Sequence, residues 1–111
     1  MIEINVSDHD QVTLVEVSGR VDSMNANQFG DALNTQIDEG HVLLVVDLSG
    51  VDYMSSAGLR EIVTSLKKAK RAKGDLRLAQ PSDRVRDVLE MSGLDGIFHI
   101  YDSQSEAVGS F

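Results

Sequence analysis

The sequence contains no cysteine and no tryptophan, a single proline, and only 5% aromatic residues. Without cysteine the chain has no disulfide framework, no thiolate nucleophile and no Cys-ligated metal. This composition favours a reducing compartment, and we expect a cytoplasmic protein. Because aromatic side chains are sparse, the core must be built mainly from aliphatic residues, which suits packed layers of helix and sheet.

Long apolar runs and basic surfaces are also lacking. The longest apolar run, 42–46, is far below the roughly 18 residues of a membrane-spanning helix, so we expect neither a signal peptide nor membrane insertion. The sequence has ten basic and eighteen acidic residues, and the resulting net charge of −8 disfavours nucleic-acid binding. The basic run 67–73 is best interpreted as the last turn of a helix, although a docking role stays open.

The spacing of apolar residues predicts alternating strands and helices. Two short runs with a two-residue period, separated by a turn at 7–10, predict a hairpin. Intervals of three and four predict a helix that begins after Ser23 or Asn25, and the run 42–46 predicts a buried strand. A second helix is predicted to start within 55–58. It is followed by a strand at 76–79, a helix from Ser82, a strand at 97–101 and a terminal helix at 103–108.

The predicted order is ββαβαβαβα, with about four helices. Repeated strand–helix–strand units require right-handed crossovers and parallel pairing, while the opening hairpin adds an antiparallel strand. We therefore predict an α/β fold with a mixed central sheet. At 111 residues the chain can bury one core, and nothing in it marks a boundary, so we expect one domain over 1–111.

The segment 47–60 carries the functional information, because it follows the central strand and enters a helix. Ligands and functional loops gather at the carboxyl edge of an open α/β sheet. A helix N-terminus adds unpaired N–H donors and partial positive charge. A phosphoryl group would be well accommodated there.

This segment resembles the phosphorylation-site loop of the STAS-domain anti-sigma-factor antagonists. The matching residues are Asp52-Tyr53-Met54-Ser55-Ser56-Ala57-Gly58-Leu59. Gly19-Arg20-Val21-Asp22 resembles the family's Gly-x-x-Asp before the first helix, and Met91-Ser92-Gly93-Leu94 followed by Phe98 resembles its C-terminal pattern. The resemblance covers nearly the whole chain, in order and at fitting spacing.

The resemblance implies that Ser56 is the phosphoacceptor, because Ala57 and Gly58 follow it as in the family. Ser55 is the second choice, since it stands where the family frequently has Asp. The alternative is that both serines only cap and start the helix. Asp22 is equally well explained as a cap or turn residue. The residues expected to contact a partner are Asp22, Asp52, Tyr53, Met54, Ser55, Ala57, Gly58 and Leu59, with exposed apolar surface around Met54 and Leu59.

Family membership would imply partner switching. The unphosphorylated protein would bind an anti-sigma factor, which is also a serine kinase using ATP and magnesium, and so release a sigma factor. Phosphorylation would end that binding, and a serine phosphatase would restore it. We expect a monomeric protein without a cofactor of its own, and not an enzyme, because neither serine has a histidine in sequence reach.

Two rival functions remain. One is a STAS module that is never phosphorylated and serves as an accessory subunit of a transporter or lipid-trafficking complex. The other is a small hydrolase with Ser56 as nucleophile, which lacks the Gly-x-Ser-x-Gly elbow. The three histidines, His9, His41 and His99, are scattered and show no metal-ligand spacing.

Overall fold

The computed structural model describes residues 2–111, and its elements follow the predicted order ββαβαβαβα. A short 3₁₀ turn at Leu94–Gly96 precedes the last strand. The strands are β1 (Ile2–His9), β2 (Val12–Val21), β3 (Leu43–Met54), β4 (Asp75–Ala79) and β5 (Ile100–Tyr101), and the helices are α1 (Ala26–Asp38), α2 (Ser56–Arg71), α3 (Asp83–Met91) and α4 (Gln104–Gly109).

The five strands form one mixed sheet in the order β1-β2-β3-β4-β5. β1 pairs antiparallel with β2, and the pairs from β2 to β5 are parallel, which confirms the predicted α/β architecture. The turn predicted at 7–10 is wrong in its position. β1 continues through His9, and only Asp10 and Gln11 connect the strands, with Asp10 in the left-handed region at φ 60°.

The two faces of the sheet carry different cores. Leu44 and Val46 belong to the larger core, whereas Val45 between them points to the smaller one, as the two-residue period of a strand requires. Apolar stripes of α1, α2 and α3 complete the larger core, and Ala107 of α4 contributes to the smaller. The helices α1 and α2 therefore pack on one face, and both begin at the carboxyl edge of the sheet.

The central strand is longer than its apolar run predicts. β3 continues through Met54, so most of the segment expected to leave the strand is itself strand. Its pairing with β2 shifts register twice, between Glu16 and Ser18 and again between Gly19 and Arg20. Such irregularities bend a strand and change the direction of its side chains. The end of β3 consequently lies beneath the first turn of α2.

Within residues 2–111, no helix is both long and apolar enough to cross a membrane. The same residues contain no group of three or more His, Cys, Asp or Glu side chains placed to hold a metal ion.

Candidate functional site

The ends of β2 and β3 form the base of the candidate site. Val21 pairs with Met54 at the last position of both strands, and the Ser55 N–H donates to the Val21 carbonyl at 2.9 Å. This bond fixes the start of α2 beside the end of β2. Residues that follow β2 and residues that open α2 consequently lie at the same edge of the sheet.

The two serines at the start of α2 have different roles. Ser55 is the N-cap, and its side-chain oxygen accepts a hydrogen bond from the Gly58 N–H at 3.3 Å. Ser56 is the first helical residue and is exposed, whereas Ser55 is half-buried. The capping interpretation thus describes Ser55, while Ser56 presents its hydroxyl to solvent.

Gly58 is needed because the first turn of α2 lies directly against the strand ends. A Cβ at this position would lie 2.7 Å from Val21 Cγ1 and 2.9 Å from Met54 Cγ, both too close for ordinary packing. The glycine after the serine pair thus lets α2 approach the sheet. Because α2 lies this close to the strand ends, the position of Ser56 relative to the edge of the sheet is fixed.

The expected exposed apolar surface around Met54 and Leu59 is wrong. Met54 is 2% exposed and Leu59 is 6% exposed, and both belong to the larger core. The physical reason is that β3 reaches Met54 and inserts its side chain beneath α2. Gly58 is also buried and Ala57 is half-buried, so these residues shape the site from below.

The two predicted acidic residues behave differently. Asp52 lies in the irregular end of β3 and is exposed. Asp22 directs its carboxylate into its own turn, where Oδ1 accepts from the N–H groups of Met24 at 2.9 Å and Asn25 at 3.2 Å. Asp22 therefore acts as a turn residue, which is one of its two predicted roles, while its side chain stays about one-third exposed.

Tyr53 is covered by a cation. The Arg20 guanidinium carbon lies 4.0 Å from the centre of the Tyr53 ring, and Arg20 Nε lies 3.9 Å from Asp22 Oδ2. Because Arg20 pairs with Tyr53 in the sheet, both side chains share one face of the strands. This arrangement leaves Tyr53 half-buried and supplies the positive charge beside the acidic turn.

The first turn of α2 carries no acidic residue, whereas the first turn of α3 contains Asp83. Since a helix N-terminus bears partial positive charge, α2 begins with that charge uncompensated by a side chain of its own. The start of α2 combines this charge with an exposed hydroxyl. This is an arrangement that can accept a negatively charged group on Ser56.

Sequence reasoning missed Met24, which is 92% exposed in the turn between β2 and α1. A single methionine among polar turn residues gives no periodic signal. Its exposure follows from the turn geometry, which the sequence pattern does not reveal.

Comparison with known proteins gives concordant results. The STAS domain model matches residues 3–107. BtrV of Bordetella bronchiseptica, whose name describes a candidate anti-sigma factor antagonist, is 36% identical over 92% of this chain and 88% of its own. The anti-sigma-B factor antagonist of Listeria monocytogenes is 34% identical over 98% of this chain and 95% of its own. A crystal structure of an anti-sigma factor antagonist from Mycobacterium paratuberculosis superposes with a TM-score of 0.91 at 28% identity, covering 99% and 93% of the two chains.

Proposed function

This chain belongs to the STAS domain family, and from that premise we propose that it is an anti-sigma factor antagonist controlled by phosphorylation of Ser56. The unmodified form binds an anti-sigma factor and thereby releases a sigma factor. The observation that carries the proposal is the exposed hydroxyl of Ser56 at the start of α2, where the first turn contains no acidic residue. The relatives named above as antagonists support the choice of partner.

Ser56 is the better acceptor of the two serines because its side chain is accessible and not committed to the helix. The Ser55 oxygen caps α2 by accepting from the Gly58 N–H, and Ser55 is half-buried, so its hydroxyl is less accessible to a kinase than that of Ser56. Modification of Ser56 leaves this cap intact.

The phosphoryl group acts through charge. At pH 7 a phosphoserine carries about −1.5 to −2 charges. On Ser56 this charge lies at the edge that already exposes Asp52 and part of Asp22. Removing that charge from water against a partner surface shaped for a neutral hydroxyl costs about 3 kcal/mol, which weakens binding roughly 100-fold.

The fold itself tolerates the modification. Phosphate at a helix N-terminus is favoured by the helix dipole and by the unpaired N–H groups of the first turn. Phosphorylated and unmodified protein therefore share one structure and differ in the surface they present. The switch is a change of surface charge.

The remaining components come from partners. The kinase, which is the anti-sigma factor itself, supplies the nucleotide with magnesium and the base that activates the serine. A serine phosphatase reverses the modification. The chain is a monomeric binding protein in this cycle and acts in the cytoplasm.

The proposal is tested by incubating the protein with its anti-sigma factor kinase and Mg·ATP and mapping the product by fragmentation mass spectrometry. We expect one phosphate on Ser56, its loss in Ser56→Ala, and its retention in Ser55→Ala. Ser105→Ala is the matched control, because Ser105 is also an exposed serine in the first turn of a helix. Phosphate on Ser55 would overturn the assignment of the acceptor.

A second outcome would overturn the function itself. If the protein neither binds an anti-sigma factor nor becomes phosphorylated, but copurifies with a transporter or lipid-trafficking complex, it is an accessory subunit. Ser56→Ala would then leave the phenotype unchanged.

A further inference from the structure

The turn between β2 and α1 is held by four hydrogen bonds that involve the side chains of Asp22 and Asn25. Asp22 Oδ1 accepts from the N–H groups of Met24 and Asn25. Asn25 Oδ1 accepts from the Asp22 N–H at 2.9 Å, and Asn25 Nδ2 donates to the Arg20 carbonyl at 2.8 Å. The side chains of Asp22 and Asn25 thus each accept from the backbone N–H of the other, and the Met24 side chain takes no part in these bonds.

The product of this turn is an exposed methionine. The Met24 side chain is 92% exposed, whereas Met54, the last residue of β3 at the same edge, is 2% exposed. Exposed apolar side chains are common on protein surfaces and carry no meaning alone. A turn that holds one outward is different, because a backbone that is ordered before binding loses less entropy when the side chain it carries enters a pocket.

Met24 and Ser56 lie at one edge. The Val21 carbonyl accepts from the Ser55 N–H at 2.9 Å, Asp22 follows Val21, and Ser56 follows Ser55. Only two residues, Asp22 and Ser23, separate Val21 from Met24, and Ser56 is adjacent to Ser55. A partner that covers the Ser56 hydroxyl consequently approaches the Met24 turn as well.

We propose that Met24 is an anchor residue of the surface that binds the anti-sigma factor, and that its thioether side chain enters an apolar pocket of that partner. The inference rests on the proposed function, because it names the second contact of the same binding edge. Methionine suits this role since its flexible, polarizable chain adapts to the shape of a pocket. In this arrangement Asp22 is a positioning residue that shapes the turn.

Charge argues that the occupant is a different protein and not a second copy of this chain. Parallel strands bring their carboxyl ends to one edge, and an acidic residue lies within four residues of each of the four strand ends there: Asp22, Asp52, Asp83 and Asp102. Asp22 is paired with Arg20 at 3.9 Å and Asp102 with Arg86 at 3.3 Å, which leaves the exposed carboxylates of Asp52 and Asp83. Two copies meeting through this edge would oppose these two carboxylates, in addition to the net charge of −8 on each chain. A less acidic partner with an apolar pocket meets no such repulsion.

The experiment measures the affinity of unmodified protein for the purified anti-sigma factor kinase by titration calorimetry. Met24→Ala removes the anchor, and Met24→Leu keeps an apolar side chain of similar volume. Met91→Ala is the matched control, because Met91 is 88% exposed but lies at the C-terminal end of α3. The opposite end of α3 is the one that Ser82 joins to β3. We expect Met24→Ala to bind at least about tenfold more weakly, Met24→Leu within about threefold of the parent, and Met91→Ala unchanged.

The outcomes separate the anchor from the proposed function. If the parent protein binds and Ser56 phosphorylation abolishes binding, but Met24→Ala binds as tightly as Met91→Ala, the anchor is overturned and the function stands. If the parent protein does not bind an anti-sigma factor at all, both are overturned. Sedimentation of the protein alone as a dimer that Met24→Ala dissociates would overturn the choice of occupant.

Discussion

The starts of α2 and α3 use the same capping residue but differ at the first helical position. Ser55 caps α2 and Ser82 caps α3, each accepting from the N–H three residues later. The next residue is Ser56 in α2 and Asp83 in α3, so α3 already has a carboxylate at the position where α2 has a hydroxyl. The comparison teaches that a negative charge at this position is compatible with the fold, and that phosphorylation would make α2 resemble α3.

The largest expected effect comes from giving α2 the residue of α3. Ser56→Asp places a carboxylate at the helix start, where the dipole favours it, beside the proposed binding surface. We expect affinity for the anti-sigma factor to fall by up to roughly 100-fold while the thermal unfolding midpoint stays within a few degrees of the parent. Calorimetric titration and a circular-dichroism melt measure the two quantities on one sample. Ser56→Asn is the neutral control, and equal weakening by both variants would contradict a charge effect.

Gly58→Ala tests whether the close approach of α2 to the strand ends matters. The added Cβ would clash with Val21 and Met54 side chains, and overpacking of this kind costs about 1–3 kcal/mol. Urea unfolding should show a lower midpoint for Gly58→Ala. Gly109→Ala is the control, since a Cβ there meets nothing within 4 Å. Equal stability of the two variants would show that α2 does not depend on this contact.

The capping serines differ in their outward connections. Both serines accept a capping hydrogen bond. The Ser82 hydroxyl in addition donates to the Val51 carbonyl at 2.7 Å, which ties α3 to the end of β3. We expect Ser55→Ala to lose about 1 kcal/mol of unfolding free energy and Ser82→Ala to lose more, by about another 1 kcal/mol. Chemical denaturation of both variants measures the two losses of unfolding free energy, and a greater loss in Ser55→Ala would contradict the expected order.

The smallest effect is expected from making α3 resemble α2. Asp83→Ser removes the carboxylate from the α3 N-terminus and should destabilise the protein by about 0.3–1 kcal/mol through the lost dipole interaction. Because Asp83 is exposed, added salt should reduce the difference from the parent. Denaturation at low and high ionic strength measures this, and a salt-independent difference would point to a cause other than charge.

The element order and the mixed sheet could be predicted because most elements have a clean apolar period. The end of β3 could not, since its two register shifts change which side chains face the core and interrupt the alternation after Asp47. For the same reason Met54 was expected on the surface, although it is a core residue, and Leu59 in the first turn of α2 is buried in the same core.

The place of Ser55 and Ser56 at the start of α2 could be predicted from the motif, but which of the two caps the helix could not. The cap depends on which hydroxyl reaches the Gly58 N–H, which is decided by the backbone at the helix start. Met24 was missed because its exposure depends on hydrogen bonds between Asp22 and Asn25. Sequence patterns report burial along helices and strands and say little about turns.

The most direct test of the switch compares two populations of the protein taken from its own cells. The fraction bound to the anti-sigma factor is separated from the unbound fraction, and the Tyr53–Arg60 region of each is examined by fragmentation mass spectrometry. We predict that the bound fraction is unmodified and that the unbound fraction carries one phosphate on Ser56. Phosphate on Ser56 at equal levels in both fractions would contradict the account.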